Sequence, residues 1–135
     1  MIIMTARLLQ IIVGIAGLCA LVLGLVIWIA NIDLTDIHML FGLLVTLGLL
    51  VMSIIALTAR GLRIWGLVGI VYAIILLIFG ETQSNLLAGN LHWLIQALHT
   101  LIGIGAIVLT GFLGARYRTL KRGEVKPEAS SQALR

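Results

Sequence analysis

The chain has 135 residues, 61% of them hydrophobic and 10% charged, with a formal net charge of +4. Its mean hydropathy of +1.21 lies far outside the range of soluble globular domains, so the composition excludes a water-soluble enzyme or binding module and indicates an integral membrane protein. The basic balance comes from where the charges sit along the chain, and nucleic-acid binding is not expected.

The first apolar run, residues 8–30, follows Arg7 and contains "AGLCA", which looks superficially like a lipoprotein processing site at Cys19. It continues to Ala30 without a polar break, longer than a signal h-region, and bulky Leu18 stands where a small residue is wanted, so it reads as a membrane span. Cys19 is the only cysteine; no internal disulfide or cysteine cluster can form, and a small packing role is left. Three further runs follow at 37–57, 62–80 and 91–115, each near the ~20 residues a helix needs to cross hydrocarbon. Backbone groups in lipid must be satisfied within the element, so all four runs should be helical, joined by short connections into an all-α antiparallel four-helix bundle. The tail, residues 119–135, starts basic and ends polar, and disorder is expected beyond about Arg122. Its basic start suits anionic lipid headgroups, as inner-side helix ends commonly do.

Sorting the charges by connection orients the bundle. All nine Lys and Arg residues (Arg7, Arg60, Arg63, Arg116, Arg118, Lys121, Arg122, Lys126 and Arg135) fall on one side of an up-and-down arrangement, and the other side holds only Asp33, Asp36 and Glu81. The positive-inside rule then makes both termini and "TARGLR" cytoplasmic, with "NIDLTD" and "ETQSNLLAGN" facing outward, the expected setting being a bacterial plasma membrane. Trp28 and Trp93 fall near the outer boundary, Trp65 and Tyr117 near the inner one, where amphipathic rings are favoured.

"TAR" occurs at 5–7 and again at 58–60, each time before a span that leads to an outer loop and a helix carrying histidine near its start. The chain reads as two copies of one helical hairpin. Helices 2 and 4 are then parallel, and His38, His92 and His99 all lie toward the outer side. In helix 4, His92, Gln96, His99 and Gly103 fall at i, i+4, i+7 and i+11, one helical face. A polar stripe facing lipid is costly, so this face should look into the bundle or toward a partner. His38 and Gly42 repeat the His-x-x-x-Gly spacing of His99 and Gly103, and glycine one turn below a histidine leaves an open surface for a flat ring.

Two histidines from facing helices can hold a haem, each neutral imidazole giving one nitrogen to iron. Gly42, Gly48, Gly103, Gly105 and Gly111 are candidates for making room. No arginine lies on the outer side, so propionates must be solvated or meet His92, Trp93, Gln83 or Asn90. Which histidines pair is open on distance alone. His38 lies 22 residues before Arg60, while His99 and His92 lie 17 and 24 before Arg116, roughly 33, 25 and 36 Å of helix. That ruler favours His38 with His92, whereas the shared His-x-x-x-Gly pattern favours His38 with His99.

The layout, with "IHMLFG" and "IQALHTLIG" carrying the histidines and 61 positions between His38 and His99, resembles one four-helix half of heme A synthase and, more broadly, small membrane b-type cytochromes. The resemblance covers nearly all of residues 5–118. It implies one haem b held between His38 and His99 as metal ligands, with His92 at the haem edge or facing an incoming donor, and Gly42, Gly103 and Gln96 lining the site. It further implies one-electron transfer with a quinol, another haem protein or a periplasmic carrier. The chain departs from that family where an acidic residue should precede each histidine by three positions: Thr35 and Gln96 stand there. It also has half the expected helices and lacks an outer-loop cysteine pair. Haem binding is therefore implied more readily than haem modification.

Other chemistries fit less well. Zinc would lack a carboxylate at matched spacing, no nucleophile or carboxylate pair is placed for catalysis, and no charge lies mid-membrane for an ion relay. The glycines at 14, 17, 24, 66, 69, 111 and 114 read as close-packing positions. One of those faces could seat a second copy or a larger respiratory or photosynthetic complex, which is the competing, non-enzymatic reading of the chain as an accessory or assembly subunit.

Overall fold

A computed structural model describes the backbone of residues 2–87 and 89–132 and the side chains of 3–87 and 89–123. Four long helices follow one another, α1 (Ile2–Ala30), α2 (Thr35–Leu57), α3 (Arg63–Thr82) and α4 (His92–Gln132), with 3-10 turns at Arg60–Leu62 and Gln83–Asn85. Each is long and apolar enough to cross a membrane. The shortest, α3 with 20 residues, spans about 30 Å, the thickness of a hydrocarbon core. The fold is an all-α four-helix membrane bundle.

Local chemistry sets the helix ends. Asn31, in the left-handed conformation at φ 55°, follows the last residue of α1, where a short polar side chain tolerates that geometry. The Thr35 N–H donates to the Asp33 carboxylate at 3.2 Å. The Thr35 side chain, and then that backbone N–H, hold the Asp33 carboxyl below its ordinary range. Between α2 and α3 the backbone turns at Ala59, extended at φ −95° and ψ 120°. α4 runs on to Gln132, through Gly123 and Pro127, where disorder was expected past Arg122; Lys121, Arg122, Glu124, Lys126 and Glu128 around those two breakers favour helix. Residues 133–135, the end of that expected tail, lie outside the described residues.

The helices pack as a ring in chain order. α2 and α4 also touch across its short diagonal, while α1 and α3 make no contact among the described residues. Close approach relies on small residues, since lipid is as apolar as leucine and packing drives association. A Cβ on Gly66 would stand 2.8 Å from the Ser53 carbonyl, and one on Gly69 would collide with the Ser53 hydroxyl, so α3 lies directly on α2. Ser53 Oγ donates to the Leu49 carbonyl at 2.7 Å, and the Tyr72 hydroxyl joins α3 to α4 by donating to the Ile102 carbonyl at 2.9 Å. The largest fully buried side chains, Tyr117, Leu49, Met52, Leu62, Leu113 and Val13, lie toward the end that carries the arginines. Residues such as Leu18, Leu67, Leu101 and Val108 are exposed on the outer surface, as a lipid-facing belt requires.

Candidate functional site

The opposite half of the bundle is hollow. A cavity of about 640 Å³ lies there, within the ~300–1,000 Å³ of typical small-molecule sites. All four helices line it, and the candidate residues His38, His92, His99, Gln96, Gly42 and Gly103 are all on its wall. Nothing stands within 4 Å of where a Cβ would project from Gly42 or Gly103, so both glycines open onto free space.

His38 and His99 meet across this space. Their ring centres are 5.9 Å apart and their planes are inclined at 55°. His38 is fixed from α1: its Nδ1 lies 2.9 Å from the Ala20 carbonyl. A carbonyl only accepts, so Nδ1 carries the proton and the neutral ring keeps its lone pair on Nε2, the tautomer a metal ligand needs. Gly24 makes the approach possible, because a Cβ there would press on His38 Cε1 at 3.1 Å. His99 is held by shape instead. Its ring stacks on Phe79, centres 6.0 Å apart and planes 14° off parallel, and a Cβ on Gly80 would sit 3.8 Å from its Cε1. Its Nδ1 is buried without a hydrogen-bond partner, an orphan of a kind that proteins rarely leave unexplained.

His92 is not part of this pair. It sits at the start of α4, its Nδ1 3.2 Å from the Leu86 carbonyl, near the rim with Asp36, Glu81, Gln83 and Ser84. Of the groups expected to meet propionates, His92 and Gln83 line the cavity, and Trp93 and Asn90 do not. Gln96 lies on the wall between the histidines of α4, and its carbonyl accepts from Thr100 Oγ1 at 2.9 Å. Thr46 Oγ1 donates likewise to the Gly42 carbonyl at 2.9 Å, so both hydroxyl protons are spent on the helices' own carbonyls.

The helix ruler failed for an identifiable reason. α2 ends at Leu57 and the chain bends at Ala59 before Arg60, so counting to Arg60 overstates the depth of His38. Measured to Leu57, His38 is 19 residues from the end of its helix, close to the 17 that separate His99 from Arg116. The site also contains residues that sequence reasoning did not single out for it: the Ala20 carbonyl, Gly24, Phe79 and Gly80. Gly24 and Gly80 each lie within the last two turns of the helix that precedes a histidine-bearing helix.

Two imidazoles are the only side chains that the cavity brings together as a candidate donor pair among the described residues. No group of three or more His, Cys, Asp or Glu side chains converges among the described residues, which leaves a closed four-ligand zinc site without its ligands. Two facing imidazoles serve an ion that brings its other ligands with it, as iron in a tetrapyrrole does. Metal–imidazole bonds of about 2.0–2.1 Å, taking zinc's as the measure, put two rings sharing one ion roughly 6 Å apart between centres. The spacing of His38 and His99 and the space beside them are thus compatible with a haem. No protein-family model, curated protein or solved structure matches this chain.

Proposed function

We propose that this protein carries electrons in a membrane by holding one haem b between His38 and His99. The observation that supports this reading above all is the meeting of the two imidazoles, 5.9 Å apart, on the wall of a cavity with glycine one turn beyond each. A haem, when bound, supplies an iron that alternates between ferric and ferrous and so accepts and releases one electron at a time.

The chain's own residues would do the rest. His38 presents Nε2 with its ring locked by the Ala20 carbonyl, and that hydrogen bond makes the nitrogen more basic. His99 presents the second imidazole, oriented by Phe79. Gly42 and Gly103 leave the faces of α2 and α4 bare for a flat ring, and Leu43, Ile104 and Ile107 add apolar surface to the wall. The rim, with Asp36, Glu81, Gln83 and His92, is where a quinol, another haem protein or a soluble carrier would approach. By the positive-inside rule that rim faces outward and both termini are cytoplasmic, in a bacterial plasma membrane. Two chains together would rebuild an eight-helix unit. Thr35 and Gln96 stand where the haem-modifying family that this layout resembles carries acids, which favours electron transfer over modification.

A reduced-minus-oxidised visible spectrum of protein purified after expression with ample haem tests the proposal. Bands of a six-coordinate b-type haem are expected, abolished in His38→Ala and in His99→Ala. A colourless protein that co-purifies with a larger complex would replace this reading with that of an accessory subunit. Bands that survive both substitutions would refute the ligand pair.

A further inference from the structure

At the other end of the bundle, far from the histidines, a cleft of about 570 Å³ opens between the start of α1 and the extension of α4. It is lined by Ile3, Met4, Arg7, Arg118 and Arg122. Three guanidinium groups, each charged at any physiological pH, thus share one concavity, and no carboxylate among the described residues lines it. Like charges so gathered call for an anion.

The cleft is built rather than incidental. Arg118, half-buried, donates from a guanidinium nitrogen to Gln10 Oε1, while Gln10 Nε2 donates to the Gly111 carbonyl at 2.6 Å. The second bond fixes which end of the amide is the acceptor, and the acceptor in turn aims Arg118. Gln10 reaches across because Gly114 has no side chain; a Cβ there would lie 2.5 Å from Gln10 Cδ. A glutamine inside an apolar run thereby ties α1 to α4 and pre-orients one arginine, with Arg7 and Arg122 exposed on either side. Guanidinium forks match phosphate oxygens bidentately, and Ile3 with Met4 offers an apolar wall beside the charges.

We propose that Arg7, Arg118 and Arg122 form a binding site for a phosphate group, and that its source is an anionic phospholipid whose acyl chain lies along Ile3 and Met4. The test uses the full chain, delipidated in detergent and titrated with phosphatidylglycerol, with phosphatidylcholine and with inorganic phosphate, bound lipid being counted by native mass spectrometry. Phosphatidylglycerol is expected to bind at least ten-fold tighter than phosphatidylcholine, whose choline cation offsets its phosphate. Arg122→Gln, on the exposed side, should weaken the anionic lipid roughly five-fold, and the triple Arg7→Gln, Arg118→Gln, Arg122→Gln chain roughly a hundred-fold. Gln10→Ala should weaken it a few-fold by releasing Arg118, with phosphatidylcholine binding unchanged as the control for folding. Equal binding of the two lipids, or an anionic-lipid affinity untouched in Arg122→Gln and in the triple variant, would overturn the site. Displacement of phosphatidylglycerol by millimolar inorganic phosphate would overturn the lipid as its source.

Discussion

The two halves of the bundle are built on opposite plans. Toward the arginines, Leu49, Met52, Leu113 and Tyr117 are fully buried, and Gly66 and Gly69 let α3 lie on Ser53. Toward the histidines, the same four helices line a cavity of about 640 Å³. One end holds the helices together so that the other need not. Because association in lipid rests on packing, a cavity is tolerable only where the remaining length of helix is packed well enough to fix the spacing around it.

The contrast can be broken most completely at the histidines. His38→Ala and His99→Ala should each abolish haem absorption in the purified protein while helix content by circular dichroism stays as in the parent; loss of helix in both would mean the pair holds the fold instead. Next in size is Leu113→Ala in the packed half, expected to destabilise by about 2–5 kcal/mol in a denaturant titration in detergent. Gly69→Leu should cost roughly 1–3 kcal/mol, because its side chain must displace Ser53. Gly42→Leu and Gly103→Leu, the same chemical change in the hollow half, should leave cofactor-free stability within about 0.5 kcal/mol yet lower haem affinity at least ten-fold. A cost at Gly42 equal to that at Gly69 would mean the cavity closes in the membrane.

A last pair of substitutions separates the two histidines. His38→Leu removes a made hydrogen bond and should cost about 0.5–1.5 kcal/mol in the cofactor-free protein. His99→Leu removes an orphaned buried nitrogen and should be neutral or stabilising. If both cost the same, His99 has a partner in the membrane-embedded protein.

Much of this was legible in the order of residues. Four apolar stretches separated by short polar ones leave a chain in lipid no option but helices, and the segregation of Lys and Arg from Asp33, Asp36 and Glu81 aligned them. The repeated His-x-x-x-Gly spacing pointed to His38 and His99, whose rings lie 5.9 Å apart between centres in the fold. Other features were not legible. Gln10, one amide in a long apolar run, drew no notice, yet it ties α1 to α4 and aims Arg118. Gly24 and Gly66 look alike in sequence, yet one cradles an imidazole and the other a backbone. Counting residues to Arg60 misplaced the depth of His38 because a bend at Ala59 leaves no mark in hydropathy.

The sequence by itself determined that the chain crosses a membrane four times and which ends of its helices share a side, because length, apolarity and charge act through the solvent and need no partner. Tertiary structure alone decided which faces meet, that His38 rests on α1 while His99 lacks a hydrogen bond, and that one half is packed and the other open. The reason is the bilayer: when surroundings and interior are equally apolar, hydrophobicity no longer says which way a residue points, and only the fit of one helix against another does.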